Sequence, residues 1–294
     1  MHLDPTFDRQ VRQISGAAAE ALVAAGTAVL DVRTPEEFVG LGHIPGAMLL
    51  PVQMIASAPA ALGDLDTPVL VTCEHAVRSK VATRLLAQAG FTQVYELSHG
   101  MSGWDGPRVH EPQEMRGPSP WLLECGDLLP RAGRALDVAC GRGRHALLLA
   151  SAGLEVTALD RDAGTLARLQ DQADRLGLPV HTRVADLETA DADLGQPGYA
   201  LVIVTRYLHR PLLPHLLLSL APGGVLIYET FLARQAERGH PTDPDYLLQP
   251  GELPALVAPL EMLRQFEGEA DGAWVSAIAA RRPPRGAASE PGAS

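Results

Sequence analysis

Two kinds of hydrophobic patterning alternate along the chain. Short runs dense in Val, Ile and Leu read as strands: TAVLDV (27–32), PVLVTC (68–73), ALDVAC (135–140), LEVTALD (154–160), VHTRVAD (180–186), ALVIVT (200–205) and VLIYET (225–230). Between them lie segments of helical period. In KVATRLLAQAG, Val81, Leu85 and Ala89 fall on one helical face and Gly90 suits the stop; after Gly143, a helix carrying Leu147, Leu148 and Ala150 ends by Gly153. Strand alternating with helix predicts α/β architecture with parallel sheets in both halves of the chain. Near the end, MLRQFEGEADGAWVSAIAARR supplies two further strand-like runs around a Gly-containing turn, which predicts an antiparallel pair.

At 294 residues the chain exceeds the usual single-domain size, so two domains are expected. The break falls at 106–120, GPRVHEPQEMRGPSP, which is rich in proline and charge and lacks apolar periodicity. The division is thus 1–105, a linker at 106–120, a second domain at 121–281 and a tail at 282–294 with nothing to bury, expected to be disordered.

The formal charge of -11 opposes the attraction that nucleic-acid phosphates or anionic membranes give to basic proteins, so a small-molecule substrate is favoured over RNA or DNA. No apolar stretch is long enough to span a membrane. Asp4, Asp8, Arg9, Arg12 and Glu20 interrupt the place where a signal peptide would need its apolar core, so a cytoplasmic location is expected. Cys73, Cys125 and Cys140 form neither a disulfide framework nor a paired zinc pattern. Cys73 with His75 lacks a third ligand nearby in sequence, so no metal site is expected.

Cys73 ends a strand-like run and is followed by the polar EHAVRS and then a helix. Backbone N–H groups and the positive helix end converge there, and Arg78 adds a cation, so a reactive thiolate is expected rather than a buried apolar thiol. TAVLDVRTPEEFVGLGHIPGAMLLP, VLVTCEHAVRS and YELSHGMSGW, in that order, resemble the rhodanese family. The resemblance implies that Cys73 takes up a sulfane sulfur as a persulfide and passes it to a thiophilic acceptor. Glu74, His75, Ala76, Val77, Arg78 and Ser79 would cradle the added atom, with Asp31, Arg33 and His43 as supporting framework. Four residues between Cys73 and Arg78 match a sulfur-sized loop rather than a phosphatase loop. Ala76 departs from the glycine common in such loops; a Cβ there penalises a left-handed backbone.

In the second half, ALDVACGRGRHALLLASAG reads as strand, glycine turn at Gly141 and Gly143, and helix, a pattern shared by dinucleotide and adenosylmethionine sites. Asp137, just before the turn, would repel a pyrophosphate yet suit a cationic ammonium. Asp160 ends the next strand, placed for ribose hydroxyls, and Asp186 follows the third, where a carboxylate reads an adenine amino group or simply makes a solvated turn. LDVACGRGRH, VTALDRD, VADL and LAPGGVLIYETF in order resemble the class I methyltransferases, near tellurite-resistance and thiopurine methyltransferase-like members. This implies a Rossmann-like seven-stranded domain ending in an antiparallel reversal, with S-adenosyl-L-methionine held by Asp137, Ala139, Gly141, Gly143, Asp160 and Asp186. Ala139 stands where the family has its first glycine, acceptable if its backbone stays right-handed or extended.

The fourth strand leads into RYLHRP, where acceptors of such enzymes sit, so Arg206, Tyr207, His209 and Arg210 are candidate acceptor contacts, with His209 as the side chain best tuned for proton removal near neutral pH. Glu229, Thr230 and the segment GHPTDPDYLLQPGEL are candidate pocket walls or lid. The expected protein methylates a small molecule, a thiol, sulfide or other soft acceptor, and pairs this with a sulfurtransferase fed by a sulfane-sulfur donor. The alternative makes the first domain a persulfide-sensing or binding module that regulates the methyltransferase.

Overall fold

The computed structural model describes residues 3–112, 117–189, 192–270 and 272–284. Part of the expected linker (113–116) and most of the expected tail (from 285) lie outside the described residues. The chain forms two compact units. One comprises Met1–Pro118 with Arg142–Ser151 and Ala167–Pro179; the other comprises Ser119–Gly141, Ala152–Leu166 and Val180–Ser294.

The first part of the chain runs β1 (Val11–Ile14), α1 (Gly16–Ala24), β2 (Ala28–Asp31), α2 (Pro35–Gly40), β3 (Met48–Leu49), α3 (Ala58–Leu62), β4 (Val69–Thr72), α4 (Arg78–Gln88) and β5 (Val94–Leu97). Its five strands form one parallel sheet in the order β1-β5-β4-β2-β3. Helix α2 starts where the sequence supplies a capping box: Thr34 accepts from the Glu37 amide, Glu37 accepts from the Thr34 amide, and Pro35 sits in the first turn. Val29, Phe38, Ile44, Leu70, Leu97 and Trp104 meet in this sheet's core. Burying each such side chain contributes roughly 1.5–3 kcal/mol.

Helix α4 corrects one expectation. Leu85 and Ala89 are buried, but Val81 is 41% exposed. The inward stripe is Ala82, Leu85, Leu86 and Ala89, spaced i, i+3, i+4, i+7, and Val81 lies one residue off it.

The second part runs α5 (Pro120–Glu124), β6 (Arg134–Val138), α6 (Arg144–Ser151), β7 (Glu155–Asp160), α7 (Ala163–Leu176), β8 (Val180–Val184), β9 (Tyr199–Thr205), α8 (Leu213–Ser219), β10 (Leu220–Phe231), α9 (Glu252–Leu256), β11 (Glu261–Ala270) and β12 (Ala273–Arg281). Its seven-stranded sheet has the order β11-β12-β10-β9-β6-β7-β8. It is parallel from β8 to β10, and β12 runs antiparallel to both β10 and β11. The reversal expected from the C-terminal pattern is therefore present. Strand order reverses direction about β6 and β9, and the carboxyl ends there open the crevice where ligands of such sheets bind. The centre of β9 is buried throughout, Leu201 to Val204, which explains its unbroken apolar run. Among the described residues no helix is long and apolar enough to cross a membrane.

Candidate functional site

Cys73 follows β4 directly, and its sulfur, 1% exposed, accepts from the Ser79 amide at 3.3 Å in the first turn of α4. Its carbonyl accepts from Met101 N at 2.8 Å, and that of Glu74 accepts from Ser102 N at 3.0 Å. Gly100 comes so close that a Cβ there would stand 2.1 Å from the Cys73 carbonyl oxygen. The HGMSG turn thus braces the carbonyl side of the loop, and only a glycine fits at position 100.

Arg33 is fully buried and forks onto Asp31, at 3.0 Å from Nε and 2.7 Å from Nη2, while its Nη1 donates to Glu74 at 2.9 Å. The LDVR framework therefore reaches the loop through a buried ion network in which each charge is paired. His43 is buried, stacked on Phe38 at 3.5 Å between centroids, with Nδ1 3.1 Å from the Phe38 carbonyl oxygen.

Arg78 is held first by Glu37, and its charge also interacts with the Cys73 sulfur. Both its terminal nitrogens donate to Glu37 at 2.6 Å, a bidentate pair. The guanidinium holds the Glu37 carboxyl well below the usual range, down to about 2. Ala76 adopts the left-handed conformation its Cβ penalises, with φ 52°. His75 and Val77 are exposed on the loop, and the His75 Nδ1 lies 3.4 Å from the Ser102 hydroxyl.

In the second half, the turn after β6 is left-handed at Ala139 (φ 53°), Gly141 (φ 52°) and Gly143 (φ 79°). Ala139 therefore corrects the expectation of a right-handed or extended backbone: the tight turn imposes the glycine-like conformation on alanine. A Cβ on Gly143 would meet the Leu169 methyls at 2.4 Å, whereas one on Gly141 would meet nothing within 4 Å. The two glycines thus serve packing and open space respectively. Asp137 is buried at 1% exposure. Asp160 accepts from Gly141 N at 2.8 Å and from Asp162 N at 3.0 Å, tying the ends of β6 and β7 together while its remaining lone pairs stay available. Burial, then the charges of Asp137 and Asp160, push the Cys140 thiol far up, which keeps it a neutral packing group.

A cavity of about 350 Å³ lies at this edge, lined by Ala139, Asp160, Asp186, Leu187, Tyr207 and Tyr246 among others. Asp186 is exposed and accepts from Glu188 N at 3.0 Å, so it makes the turn and lines the cavity at once. Among the described residues the buried Tyr207 hydroxyl has no hydrogen-bond partner, and burial pushes it above the usual phenol range, with the charges of Glu188 and Asp186 adding to the shift. Of the other RYLHRP residues, Arg206 is exposed with φ 56°, and His209 precedes a short 3₁₀ turn. Arg210 forks onto Glu252 at 2.6 and 3.0 Å and donates to the carbonyls of Asp245 and Leu247, so it fastens the 245–252 segment. That segment supplies Tyr246 to the cavity. Glu229 is buried and accepts from Ser119 at 2.8 Å; the buried Thr230 hydroxyl has no hydrogen-bond partner among the described residues.

Local patterning did not single out Glu37, Glu96 or Gly100; Tyr246 lies in the GHPTDPDYLLQPGEL segment named as candidate pocket wall, and it lines the cavity. Only the doubled Glu after a Thr-Pro helix start hinted at Glu37, and that hint concerned capping.

Residues 15–106 match the family model described as a rhodanese-like domain, and residues 135–224 match one described as a methyltransferase domain. Curated relatives of the first include thiosulfate sulfurtransferase GlpE of Stutzerimonas stutzeri, 37% identical over 93 residues, covering 32% of this chain and 84% of that protein. GlpE of Pseudomonas aeruginosa strain PAO1 is 35% identical over 106 residues, covering 35% and 87%. The chain belongs to the rhodanese family through this domain, and it joins that domain to a methyltransferase domain. Solved structures of similar fold include TehB from Haemophilus influenzae, with a TM-score of 0.47, 19% identity, and coverage of 55% of this chain and 61% of that one. Another comes from work on conversion of a disulfide bond into a thioacetal group during echinomycin biosynthesis, with a TM-score of 0.47, 24% identity, and coverage of 57% and 83%.

Proposed function

We propose that the protein transfers a methyl group from S-adenosyl-L-methionine to a small soft acceptor, a thiol or sulfide, and that its rhodanese-like domain forms a persulfide on Cys73. The observation that carries the first part is the cavity at the carboxyl ends of β6, β7 and β8, with Asp137 buried beside the glycine turn. Residues there fit that cofactor better than a dinucleotide. The Gly141 amide, which would receive a pyrophosphate, already donates to Asp160, and two carboxylates flank the turn, so a phosphate would meet repulsion where a sulfonium and an ammonium meet attraction. The open space at Gly141 and the Tyr207 hydroxyl, unpaired among the described residues, leave room and a polar contact for a ligand.

Asp137, Ala139, Gly141, Gly143, Asp160 and Asp186 would hold the cofactor, which supplies an electrophilic methyl on a sulfonium. Tyr207 and Tyr246, which both line the cavity, would orient the acceptor and exclude water; an acceptor that is already anionic needs only positioning, and His209, the candidate base, is not among the described lining residues. On the other domain, the Cys73 sulfur anion attacks the outer sulfur of a sulfane donor. The donor S–S bond breaks, its leaving group departs with the electron pair, and the thiol proton passes to water. The GlpE relatives are named for thiosulfate, which makes thiosulfate the first donor to try.

A screen with methyl-labelled cofactor, thiols, sulfide and chalcogen oxyanions, run on wild type and Cys73→Ser, tests this reading. Labelled thioether from a thiol, or labelled methanethiol from sulfide, supports it. Loss of methylation in Cys73→Ser only when a sulfane donor is the sulfur source marks coupled chemistry. The regulatory alternative has one distinguishing outcome: with thiosulfate as donor and cyanide as acceptor, a single stoichiometric modification of Cys73 without catalytic formation of thiocyanate and sulfite.

A further inference from the structure

One buried ionisable group has no part in the reactions above. Glu96, on β5, is 2% exposed, and one of its oxygens accepts from the Ser79 hydroxyl at 2.8 Å. The other accepts from Gln13 Nε2 at 2.9 Å, its neighbour in register on β1. The Ser79 oxygen in turn lies 3.5 Å from the Cys73 sulfur, with Ser79 itself fully buried. Cys73, Ser79 and Glu96 thus form a continuous buried chain.

A hydroxyl has one proton. While the Glu96 carboxylate takes it, Ser79 shows the sulfur only oxygen lone pairs, which suit a thiol S–H and oppose a sulfur anion. The donor that the anion retains is the Ser79 amide at 3.3 Å. An amide oxygen at position 96 accepts that proton more weakly than a carboxylate does, so the hydroxyl turns more often toward the sulfur as a second donor. In a buried setting, reversing one such dipole matters more than it would in water.

We infer that Glu96 is a positioning residue that, through the Ser79 hydroxyl, restrains the nucleophilicity of Cys73. This rests on the reading of Cys73 as the nucleophile. The surrounding charges are otherwise matched. Glu96 lines a cavity of about 430 Å³ with Asp8, Gln13, Lys80 and Arg84, and Arg84 is forked onto Asp8 at 2.7 Å. On the loop, Glu74 is paired with Arg33 and Arg78 with Glu37, and His75 is exposed. Lys80 lines the same cavity.

The test is alkylation of Cys73 by iodoacetamide in the full chain, from about pH 5 to about pH 9, with the modified peptide measured by mass. Glu96→Gln should raise the Cys73 rate about tenfold below pH 7 and move the profile about one unit to lower pH. Ser79→Ala, a small change expected to fold even if Glu96→Gln does not, should by itself raise the rate about threefold. The double variant should react no faster than Ser79→Ala. An unchanged or slower rate in Glu96→Gln with its thermal unfolding intact, a fall in Ser79→Ala, or a Glu96→Gln effect that survives without the Ser79 hydroxyl would each overturn the inference. Iodoacetamide needs no sulfur donor. Failure of thiosulfate turnover would therefore count against the sulfurtransferase reading alone, while the alkylation profile judges Glu96.

Discussion

The two glycines of the β6–α6 turn should respond oppositely to the same substitution. Gly143→Ala places a Cβ 2.4 Å from both Leu169 methyls, and Leu169 is 1% exposed and cannot swing into solvent. Overpacking of that kind costs about 1–3 kcal/mol. The left-handed backbone adds about 1–2 kcal/mol for an L-residue. The total of about 2–5 kcal/mol should lower Tm by about 5–15 °C in a chain of this size. Gly141→Ala carries the same backbone strain but meets open space, so its stability loss should stay near about 1–2 kcal/mol. If that space receives the cofactor, Gly141→Ala should instead cost at least about tenfold in affinity for S-adenosylhomocysteine. Differential scanning calorimetry and titration of both variants provide the comparison. A wild-type Tm in Gly143→Ala, or a larger Tm loss in Gly141→Ala, would refute the division of labour.

Other substitutions probe the loop and the lid. Glu37→Gln should cost about 1–2 kcal/mol, allowing for solvent screening of a pair that is about 30% exposed. Because the folded Glu37 carboxyl is depressed to about 2 from 4.5, that contribution is present above about pH 4.5 and fades as pH falls toward 2. Wild type and Glu37→Gln should therefore converge in urea stability at low pH. Ala76→Gly should relieve the φ 52° strain and gain up to about 1 kcal/mol after the entropy cost of glycine, seen as a higher Tm. Arg210→Ala removes the fork to Glu252 and the donors to two carbonyls, so limited proteolysis should cut within 243–252 several-fold faster while the rest of the chain resists.

Strand positions were legible because the central strands of both sheets are buried on two faces and read as unbroken apolar runs, as in Leu201–Val204 and Val69–Thr72. The Cys73 loop was legible because its polar residues interrupt such a run just before a helix. Pairings between distant residues were not. Arg78 meets Glu37 across 41 positions and Ser79 meets Glu96 across 17, and no local period encodes either contact. Glu96 is a lone charged residue in a short strand, and its buried place depends on distant partners, the buried Ser79 hydroxyl and the exposed Gln13 amide. Ala139 departed from expectation because the turn geometry, set by its neighbours, overrode the local preference of its side chain.

The central claim is that the edge of the second sheet is an adenosylmethionine site, and isothermal titration with S-adenosylhomocysteine tests it most directly. The account predicts saturable binding to wild type, binding abolished in Asp160→Ala, whose carboxylate ties Gly141 to the end of β7, and no binding of NAD. Absence of binding to wild type, or preference for NAD, would contradict it.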